Sequence, residues 1–290
     1  MGSSDAEDPA AAAPAPAPPR LTPLLPAGEP ASAADTVAGF GLWERESTPP
    51  PRPRVLLNMV SSADGRATLA GRSGPLSSPA DRELFHALRA CSDAILVGAG
   101  TVRGERYGPT VPDPRRQELR RAHGLDPQPP ACIVTASVRL DPAIPLLDSP
   151  ESRVLVLTAS EESLPPTRAS VDYLRCAAGG NLDLAAAFAR LAAEHGVQLL
   201  LCEGGPHLGA ELLAAGLLDE LYLAIAPKLL GTAAPQGADL RILAGAELEP
   251  PAEMELAAVL ASDSHVFLRY VVVSAECVSR ETTASSSLAR

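Results

Sequence analysis

Two glycine-rich turns carry most of the chemistry that this sequence offers. Val97-Gly98-Ala99-Gly100-Thr101 directly follows a short apolar run, and Glu203-Gly204-Gly205-Pro206-His207-Leu208-Gly209-Ala210 follows another. Glycines after a buried strand let backbone N–H groups approach a phosphate or a nicotinamide ring; a tight turn that binds nothing is the alternative. Pro206 suits the first position of a helix, where free N–H groups meet the positive end of the helix dipole. The second turn is therefore the better pyrophosphate candidate.

Two carboxylates are placed where a reaction could use them. Glu203 ends an apolar run, and Asp64 stands in Ser61-Ser62-Ala63-Asp64-Gly65-Arg66, after the run that begins at Arg54. Hydride transfer to an imine needs the cofactor ring held against the carbon and a proton or charge-stabilising group near the nitrogen. We therefore predict Glu203 and Asp64 as catalytic. The structural alternatives are a capping role for Glu203 and an Asp-Gly turn for Asp64.

The charged residues after the first glycine turn favour NADPH over NADH. A dinucleotide fold that binds NAD keeps an acidic residue about 20 positions further on, at the end of the next strand. In this chain Glu118 falls inside a polar stretch, not at a strand end. Arg103 and Arg106 follow the turn instead and suit a 2′-phosphate; a solvated helix face is the alternative. His207 would either donate to a phosphate or leave its ring in solvent.

Composition limits the kinds of partner. The 290 residues carry 24 Lys+Arg against 35 Asp+Glu, a formal net charge of −11, which argues against nucleic acid or an anionic membrane as a partner. No apolar stretch reaches the roughly 20 residues of a membrane-spanning helix, and the acidic N-terminus does not resemble a secretory signal. We therefore expect a cytoplasmic protein. The five cysteines lack metal or redox spacing, so reduced, buried thiols and no metal site are predicted.

Strand-like and helix-like segments alternate along the chain. Strands are predicted at residues 54–61, 93–97, 132–135, 154–158, 198–202, 221–225 and 265–273, and helices at residues 79–90, 182–195 and 206–214. Alternation of this kind implies a largely parallel sheet covered on both faces. The last strand follows another strand without a convincing helix between them, which predicts an antiparallel edge. The expected fold is α/β with a mixed sheet.

Four stretches differ in composition. Residues 1–19 are an Ala/Pro leader that cannot bury enough apolar surface to fold and is expected to be disordered. Residues 20–53 regain apolar side chains and end in a Pro-rich linker, which predicts a strap docked on the main domain. Residues 54–274 form that domain, and residues 275–290 are expected to be a flexible tail.

An ordered series of short motifs resembles a known family. In chain order, it consists of Ser61-Ser62-Ala63-Asp64-Gly65-Arg66, Ser78-Pro79-Ala80-Asp81, Leu88-Arg89-Ala90, Ser92-Asp93-Ala94-Ile95-Leu96-Val97-Gly98-Ala99-Gly100-Thr101-Val102, Glu203-Gly204-Gly205-Pro206, Leu217-Leu218-Asp219-Glu220-Leu221 and Ala226-Pro227-Lys228-Leu229-Leu230-Gly231. The series covers about residues 54–273 and resembles the RibD C-terminal family, the pyrimidine reductases of riboflavin biosynthesis. The resemblance implies a dihydrofolate-reductase-like, three-layer αβα fold with a mixed, mostly parallel sheet, and a homodimer. It also implies NADPH-dependent reduction of 5-amino-6-(5-phosphoribosylamino)uracil to the ribitylamino product.

The resemblance also assigns residues to the site. It places Thr101, Ser137 and the turn from Gly205 to Glu211 at the cofactor, with Glu105 where the family usually has aspartate. Ser73 and Arg89 would face the phosphoribosyl substrate, and Glu203 would lie beside the reacting atoms. The full predicted cofactor set is Gly98, Gly100, Thr101, Arg103, Glu105, Ser137, Gly204, Gly205, Pro206, His207, Leu208, Gly209 and Ala210.

Departures from the family pattern leave alternatives open. Asn58 stands where the family commonly has lysine, and the family's arginine for the substrate phosphate would have to be replaced by Arg115 or Arg116. Nothing before Pro53 resembles the zinc-binding deaminase domain of the bifunctional members, which predicts a stand-alone reductase. The alternatives are a reductase of a pterin, of dihydrofolate or of another heterocycle, and a non-catalytic nucleotide-binding module.

Overall fold

One large sheet organises the chain. The structure is a computed structural model that describes residues 18–48, 50–231, 240–245 and 247–273. Residues 1–17 of the predicted leader and the whole predicted tail lie outside this range. The strands of the described part are β1 Thr22–Leu25, β2 Arg54–Ser62, β3 Ala94–Gly98, β4 Ala131–Val134, β5 Arg153–Thr158, β6 Ser170–Arg175, β7 Ala177–Ala178, β8 Asn181–Leu182, β9 Leu199–Cys202, β10 Glu220–Ala226, β11 Met254–Ser262 and β12 His265–Val272.

Parallel pairing dominates this sheet. Its strand order is β1-β11-β12-β10-β2-β9-β3-β4-β5-β6, and β7 pairs with β8 separately. Neighbours from β10 to β6 run parallel, whereas β1, β11 and β12 join the other edge through antiparallel ladders. Parallel strands covered on both faces are apolar along their length, and all four residues of β9 are buried. The predicted mixed, mostly parallel sheet is confirmed.

Helices cover both faces of the sheet. They are α1 Ala33–Gly39, α2 Pro79–Cys91, α3 Ala99–Gly104, α4 Pro114–Ala122, α5 Leu184–His195 and α6 Pro206–Ala214, with a short 3₁₀ turn at Gly74–Leu76. Val37 of α1 and Leu88 of α2 belong to one apolar core, and Phe188 of α5 and Leu212 of α6 belong to the core on the other face. This arrangement is the predicted three-layer αβα architecture.

Several elements were missed by the sequence prediction. The segment predicted as a strap contains β1 and α1, and β1 pairs with β11 at the sheet edge. β6 was also missed, because its residues alternate in exposure at the opposite edge and show no apolar run. The helix predicted from Leu182 begins at Leu184, since the side chain of Asp183 accepts a hydrogen bond from the Ala186 N–H and caps the helix.

Helix α4 lies within residues 109–130, a charged, Pro-rich stretch for which the sequence predicted no helix or strand. The helix buries Arg120 alone among its nine residues. It therefore lacks the apolar periodicity from which a helix is predicted. The Arg120 guanidinium donates to the carbonyls of Arg89, Ala90 and Ser92 at the end of α2. A cation at a helix C-terminus satisfies its unpaired carbonyls and complements its dipole. Arg120 therefore fixes the end of α2.

The N-terminal segment packs against the same layer. The Trp43 indole stacks on the His123 ring at a centroid distance of 4.1 Å, and Arg45 pairs with Asp93 just before β3.

The four described cysteines are free and buried, and burial raises the pKa of Cys91, Cys132 and Cys202 to about 12. Across the described residues, no helix combines the length and apolarity needed to cross a membrane.

Candidate active site

A cleft of about 700 Å³ opens at the carboxyl edge of β2, β3 and β9. This is the edge at which open α/β sheets bind their ligands. One wall comes from the two glycine turns, the other from α2 and the loop between β2 and α2. The residues used below that line it are Asn58, Thr68, Ser73, Ser77, Asp81, Arg82, Phe85, Gly98, Gly100, Thr101, Glu105, Glu203, Gly205, Pro206, His207 and Leu208.

The two glycine turns lie against each other. The Gly98 N–H donates to the Gly204 carbonyl at 3.2 Å, which couples the end of β3 to the end of β9. Gly204 and Gly205 have φ of +94° and +72°, where a side chain would be strained. A Cβ on Gly205 would lie 3.7 Å from the Thr101 hydroxyl oxygen. The glycines therefore leave this part of the cleft open and lined by backbone atoms.

Helix α6 begins inside the cleft. Pro206 occupies its first turn and has no N–H, whereas His207 and Leu208 stand where helical N–H groups have no intrahelical acceptor. These N–H groups and the helix dipole suit a phosphate anion. The backbone wall and the helix end together fit a nicotinamide dinucleotide.

Glu203 forms an ion pair at the base of the cleft. Its Oε1 accepts from Arg89 Nε at 2.5 Å and its Oε2 from Arg89 Nη2 at 2.6 Å. Burial alone would lower the pKa of Arg89, but the Glu203 charge and hydrogen bonds outweigh it and raise that pKa. Arg89 therefore stays charged and is engaged by Glu203, not directed at the cleft.

Tyr107 completes this cluster and was missed by sequence analysis. Its hydroxyl donates to Glu203 Oε2 and accepts from Arg89 Nη2 at 2.7 Å. Burial raises the pKa of Tyr107 well above its ordinary value, so the phenol keeps its proton. Tyr107 therefore gives Glu203 a second fixed contact beside that with Arg89. A lone aromatic in a polar loop after α3 gave no periodic signal.

Two residues predicted for different ligands meet across the cleft mouth. Glu105 Oε1 accepts from the Ser73 N–H at 3.1 Å and from the Ser73 hydroxyl at 3.2 Å. Ser73 was predicted at the substrate and Glu105 at the cofactor. Their contact joins the β2–α2 loop to the residue after α3.

Asp64 lies outside the cleft lining. Its Oδ2 accepts from the N–H groups of Leu230 and Gly231 at 3.0 and 2.7 Å, and its Oδ1 accepts from the Ser62 hydroxyl. The Ser62 hydrogen bond, followed by that from Gly231, lowers the pKa of Asp64. This geometry favours the turn role given above as its alternative and ties two loops together.

The predicted cofactor residues divide into two groups. Eight of them line the cleft: Gly98, Gly100, Thr101, Glu105, Gly205, Pro206, His207 and Leu208. Gly204, Gly209 and Ala210 stand beside the lining, and Ser137 is exposed beyond the end of β4. The Arg103 guanidinium bonds to the Arg139 carbonyl at 3.3 Å on the surface. Among the described residues, no group of His, Cys, Asp or Glu is arranged to hold a metal ion.

Fold and site together define an α/β protein with a nucleotide-type cleft at its sheet edge. Comparison with known families adds that the RibD C-terminal domain matches residues 53–267. The chain belongs to the RibD C-terminal domain family, as its motifs predicted.

Named relatives come from archaea and bacteria. The 2,5-diamino-6-ribosylamino-4(3H)-pyrimidinone 5′-phosphate reductase of Methanothermobacter thermautotrophicus is 31% identical over 200 residues, covering 68% of this chain and 85% of that protein. The riboflavin biosynthesis protein RibD of Escherichia coli is 32% identical over 185 residues, covering 62% of this chain. The matched region spans half of the Escherichia coli protein.

A solved structure supports the fold. The pyrimidine reductase-like protein of Corynebacterium diphtheriae superimposes with a TM-score of 0.65 at 24% identity, covering 84% of this chain and all of that one. At this identity the likeness concerns the fold, and it confirms the predicted fold class.

Proposed function

We propose that the protein is an NADPH-dependent reductase of a ribosylaminopyrimidine 5′-phosphate in riboflavin biosynthesis. The substrate that the sequence predicts is 5-amino-6-(5-phosphoribosylamino)uracil. One observation carries the proposal: a fixed carboxylate, Glu203, lies directly beside a backbone-lined pocket that ends at a helix N-terminus. The names of the relatives support the same reaction class, and the cytoplasm is its proposed location.

The cofactor would lie along the two glycine turns. Its phosphates would contact the N–H groups of His207 and Leu208, and its nicotinamide ring would reach the backbone-lined part of the cleft beside Gly98 and Gly205. Thr101 offers a hydroxyl at the same place. The bound nicotinamide supplies the hydride. The proposed preference for NADPH rests on Arg103 and Arg106, which lie outside the cleft lining, near its cofactor end.

Glu203 would orient the substrate. Arg89 occupies one lone pair on Oε1, and Arg89 with Tyr107 occupies Oε2. A carboxylate oxygen accepts two hydrogen bonds, so Oε1 retains one site for an N–H of the substrate. The Arg89 guanidinium fixes the position of this acceptor, which makes Arg89 a positioning residue for the reaction.

The substrate phosphate needs a different cation. Arg116, one of the two replacements predicted from the sequence, pairs with Glu83 and Asp113. Arg82 lines the cleft, and its guanidinium has no ion-pair partner among the described residues. We assign the phosphate to Arg82. Arg82→Ala should raise KM for the phosphorylated substrate and leave KM for its dephosphorylated form nearly unchanged.

A substrate panel tests the proposed function. Oxidation of NADPH is followed with the phosphoribosylaminouracil, with the 2,5-diaminopyrimidinone of the archaeal relatives, and with dihydrofolate. Turnover of either pyrimidine phosphate supports the proposal. Turnover of dihydrofolate alone would assign the cleft to a pterin. Binding of NADPH without turnover of any substrate would favour a non-catalytic module.

A homodimer forms part of the proposal. One sheet face of β1 and β11 exposes large apolar side chains to solvent. Leu25 pairs with Val259, and Leu256 pairs with Tyr270, so these side chains share one face. Leu25, Leu256 and Met254 are large apolar residues with exposed side chains. A second copy of the chain would cover this face, as the family resemblance implies.

Light scattering measures this association directly. The wild-type protein should have the mass of a dimer. Leu256→Asp would place a charge in the apolar face and should yield monomers that keep their far-ultraviolet circular dichroism. A monomeric wild-type protein, or an unchanged mass for the variant, would contradict the proposed interface.

A further inference from the structure

One buried carboxylate in the cleft has no task in the proposed reaction. Asp81 lies in the first turn of α2 and is 8% exposed. Its Oδ2 accepts a hydrogen bond from the Ser77 hydroxyl, while Oδ1 has no hydrogen-bond partner in the part of the chain that the structure describes. Burial raises the pKa of Asp81, and the Ser77 hydrogen bond and the charges of His265 and Arg82 only partly oppose this. A protein tolerates such a group where a ligand supplies the missing donors.

Asp81 shares a face of α2 with Arg89, the residue that binds Glu203. Asp81, Phe85 and Arg89 are four residues apart, so they lie above one another on α2. Asp81 and Phe85 line the cleft, and the Arg89 guanidinium lies 4.3 Å from the centre of the Phe85 ring. This wall therefore runs from a carboxylate, over an aromatic ring, to the ion pair with Glu203. Its length is about 12 Å along the helix axis, which accommodates the heterocycle between Asp81 and Glu203.

Two further polar side chains that line this cleft lack hydrogen-bond partners among the described residues. The Asn58 carboxamide lines the cleft and has no hydrogen-bond partner among the described residues. The Thr68 hydroxyl is buried and is also unpaired. Buried polar groups are nearly always hydrogen-bonded in folded proteins. Their concentration here indicates the place where the polar edge of a ligand completes the hydrogen bonding.

We infer that Asp81 binds the N3 edge of the substrate's pyrimidine ring, remote from the ribosylamino group, and selects a ring with two adjacent N–H donors on that edge. This inference rests on the proposed function and sharpens its substrate. An ionised carboxylate only accepts hydrogen bonds. The 2-amino-4-oxopyrimidine named for the archaeal relative presents a ring N–H beside an amino group. The uracil implied by the family resemblance presents N3–H between two carbonyls, and one of these would face a carboxylate oxygen. Asp81 thus favours the 2-amino compound.

Exchange of Asp81 for Asn tests this selection. Asn presents one carbonyl and one amino group, which complement the uracil edge. The ratio of kcat/KM for the diaminopyrimidinone to that for the uracil should favour the former about tenfold in the wild-type protein and should fall or reverse in Asp81→Asn. Asp183→Asn is the matched control, because it neutralises the cap of α5 outside the cleft and should leave the ratio unchanged.

The outcomes separate this inference from the proposed function. A wild-type preference for the uracil, or an equal ratio in wild type and Asp81→Asn, would overturn the role of Asp81 while the reductase function stands. Absence of turnover with both substrates would overturn the reductase function. In that case calorimetric titration with 2,5,6-triaminopyrimidin-4-one and with 1-methyl-5,6-diaminouracil, in which N1 carries no hydrogen, decides on Asp81. Tighter binding of the triamino base that is lost in Asp81→Asn supports the inference; equal or undetectable binding of both bases overturns it.

Discussion

The Arg89 guanidinium and the Glu203 carboxylate meet edge to edge through two hydrogen bonds, of 2.5 and 2.6 Å. Their side chains are 10% and 3% exposed, so neither charge is solvated well enough to stand alone. The pair links the helical layer to the end of β9 and forms the base of the cleft. A change to either partner therefore affects both stability and chemistry.

Glu203→Gln should lower turnover about 10²-fold and leave the affinity for NADPH nearly unchanged. It should also destabilise the fold by about 3–5 kcal/mol, because Arg89 keeps its charge without a partner. Turnover, cofactor affinity and urea denaturation are measured on the same variant. Glu220→Gln is the control, since Glu220 is equally buried and binds Arg269 away from the cleft. A stable or fully active Glu203→Gln protein would contradict the assignment.

Tyr107→Phe removes the hydroxyl that donates to Glu203. We expect a loss of stability of about 1–3 kcal/mol and a lower kcat, because the carboxylate gains freedom to turn. Tyr222→Phe provides the comparison: its hydroxyl donates to Glu220 at 3.0 Å, and burial raises its pKa to about 12. Both variants should lose stability, and only Tyr107→Phe should lose turnover. Equal turnover in the two would argue for a purely structural role.

NADPH should be used with a higher kcat/KM than NADH. The reason is the pair Arg103 and Arg106, which follows the first glycine turn and suits a 2′-phosphate. Glu105 between them binds Ser73, and Glu118 lies within α4, not at the end of a strand. Replacing both arginines by Ala should bring the two efficiencies together. Comparable efficiencies in the wild-type protein would disprove the preference.

Asp81→Asn should be more stable than the wild-type protein at pH 7. The folded-state pKa of Asp81 is raised, chiefly by burial, so the ionised form opposes folding. This cost is full above the folded-state pKa and fades as the pH falls through it towards the ordinary value of about 3.9. Urea denaturation of both proteins between pH 4 and 7 should show a difference that shrinks on acidification. A constant difference would mean that ionisation of Asp81 is not its cause.

Deletion of residues 1–19 should leave turnover and melting temperature unchanged. The reason is the Ala/Pro composition of this segment, which offers too little apolar surface to predict a folded structure. Assay and thermal melting of the shortened protein check the expectation. A large loss of turnover would show that the leader belongs to the working enzyme.

Elements with an apolar signal of their own were predictable from sequence. The strand that begins at Arg54 and the helix from Pro206 to Ala214 both formed where expected, because each is apolar on the side that it buries. α4 was not predictable in this way, since the residue it buries is Arg120, a cation that binds carbonyls of another helix. Pairing of β1 with β11 depends on a partner far along the chain, which no local pattern reveals.

Motif order located the cleft but not the relations within it. Glu203 and the glycine turns were predicted from their place after buried strands. The pairing of Glu203 with Arg89 was not, because the two residues come from different layers and were assigned separate roles. Asp81 was visible as part of a motif, and its spacing of four from Phe85 was the signal that would have placed it on the cleft wall.

The position of β1 has a consequence for synthesis of the chain. Thr22 lies opposite Ala261, so β1 leaves the ribosome long before its partner β11 is made. Until β11 is made, the N-terminal segment lacks its neighbour in the sheet, and the core beneath Leu21 and Val37 cannot close. Such distant pairing makes folding slow relative to local contacts. The nascent protein is therefore expected to stay sensitive to proteases until β11 emerges.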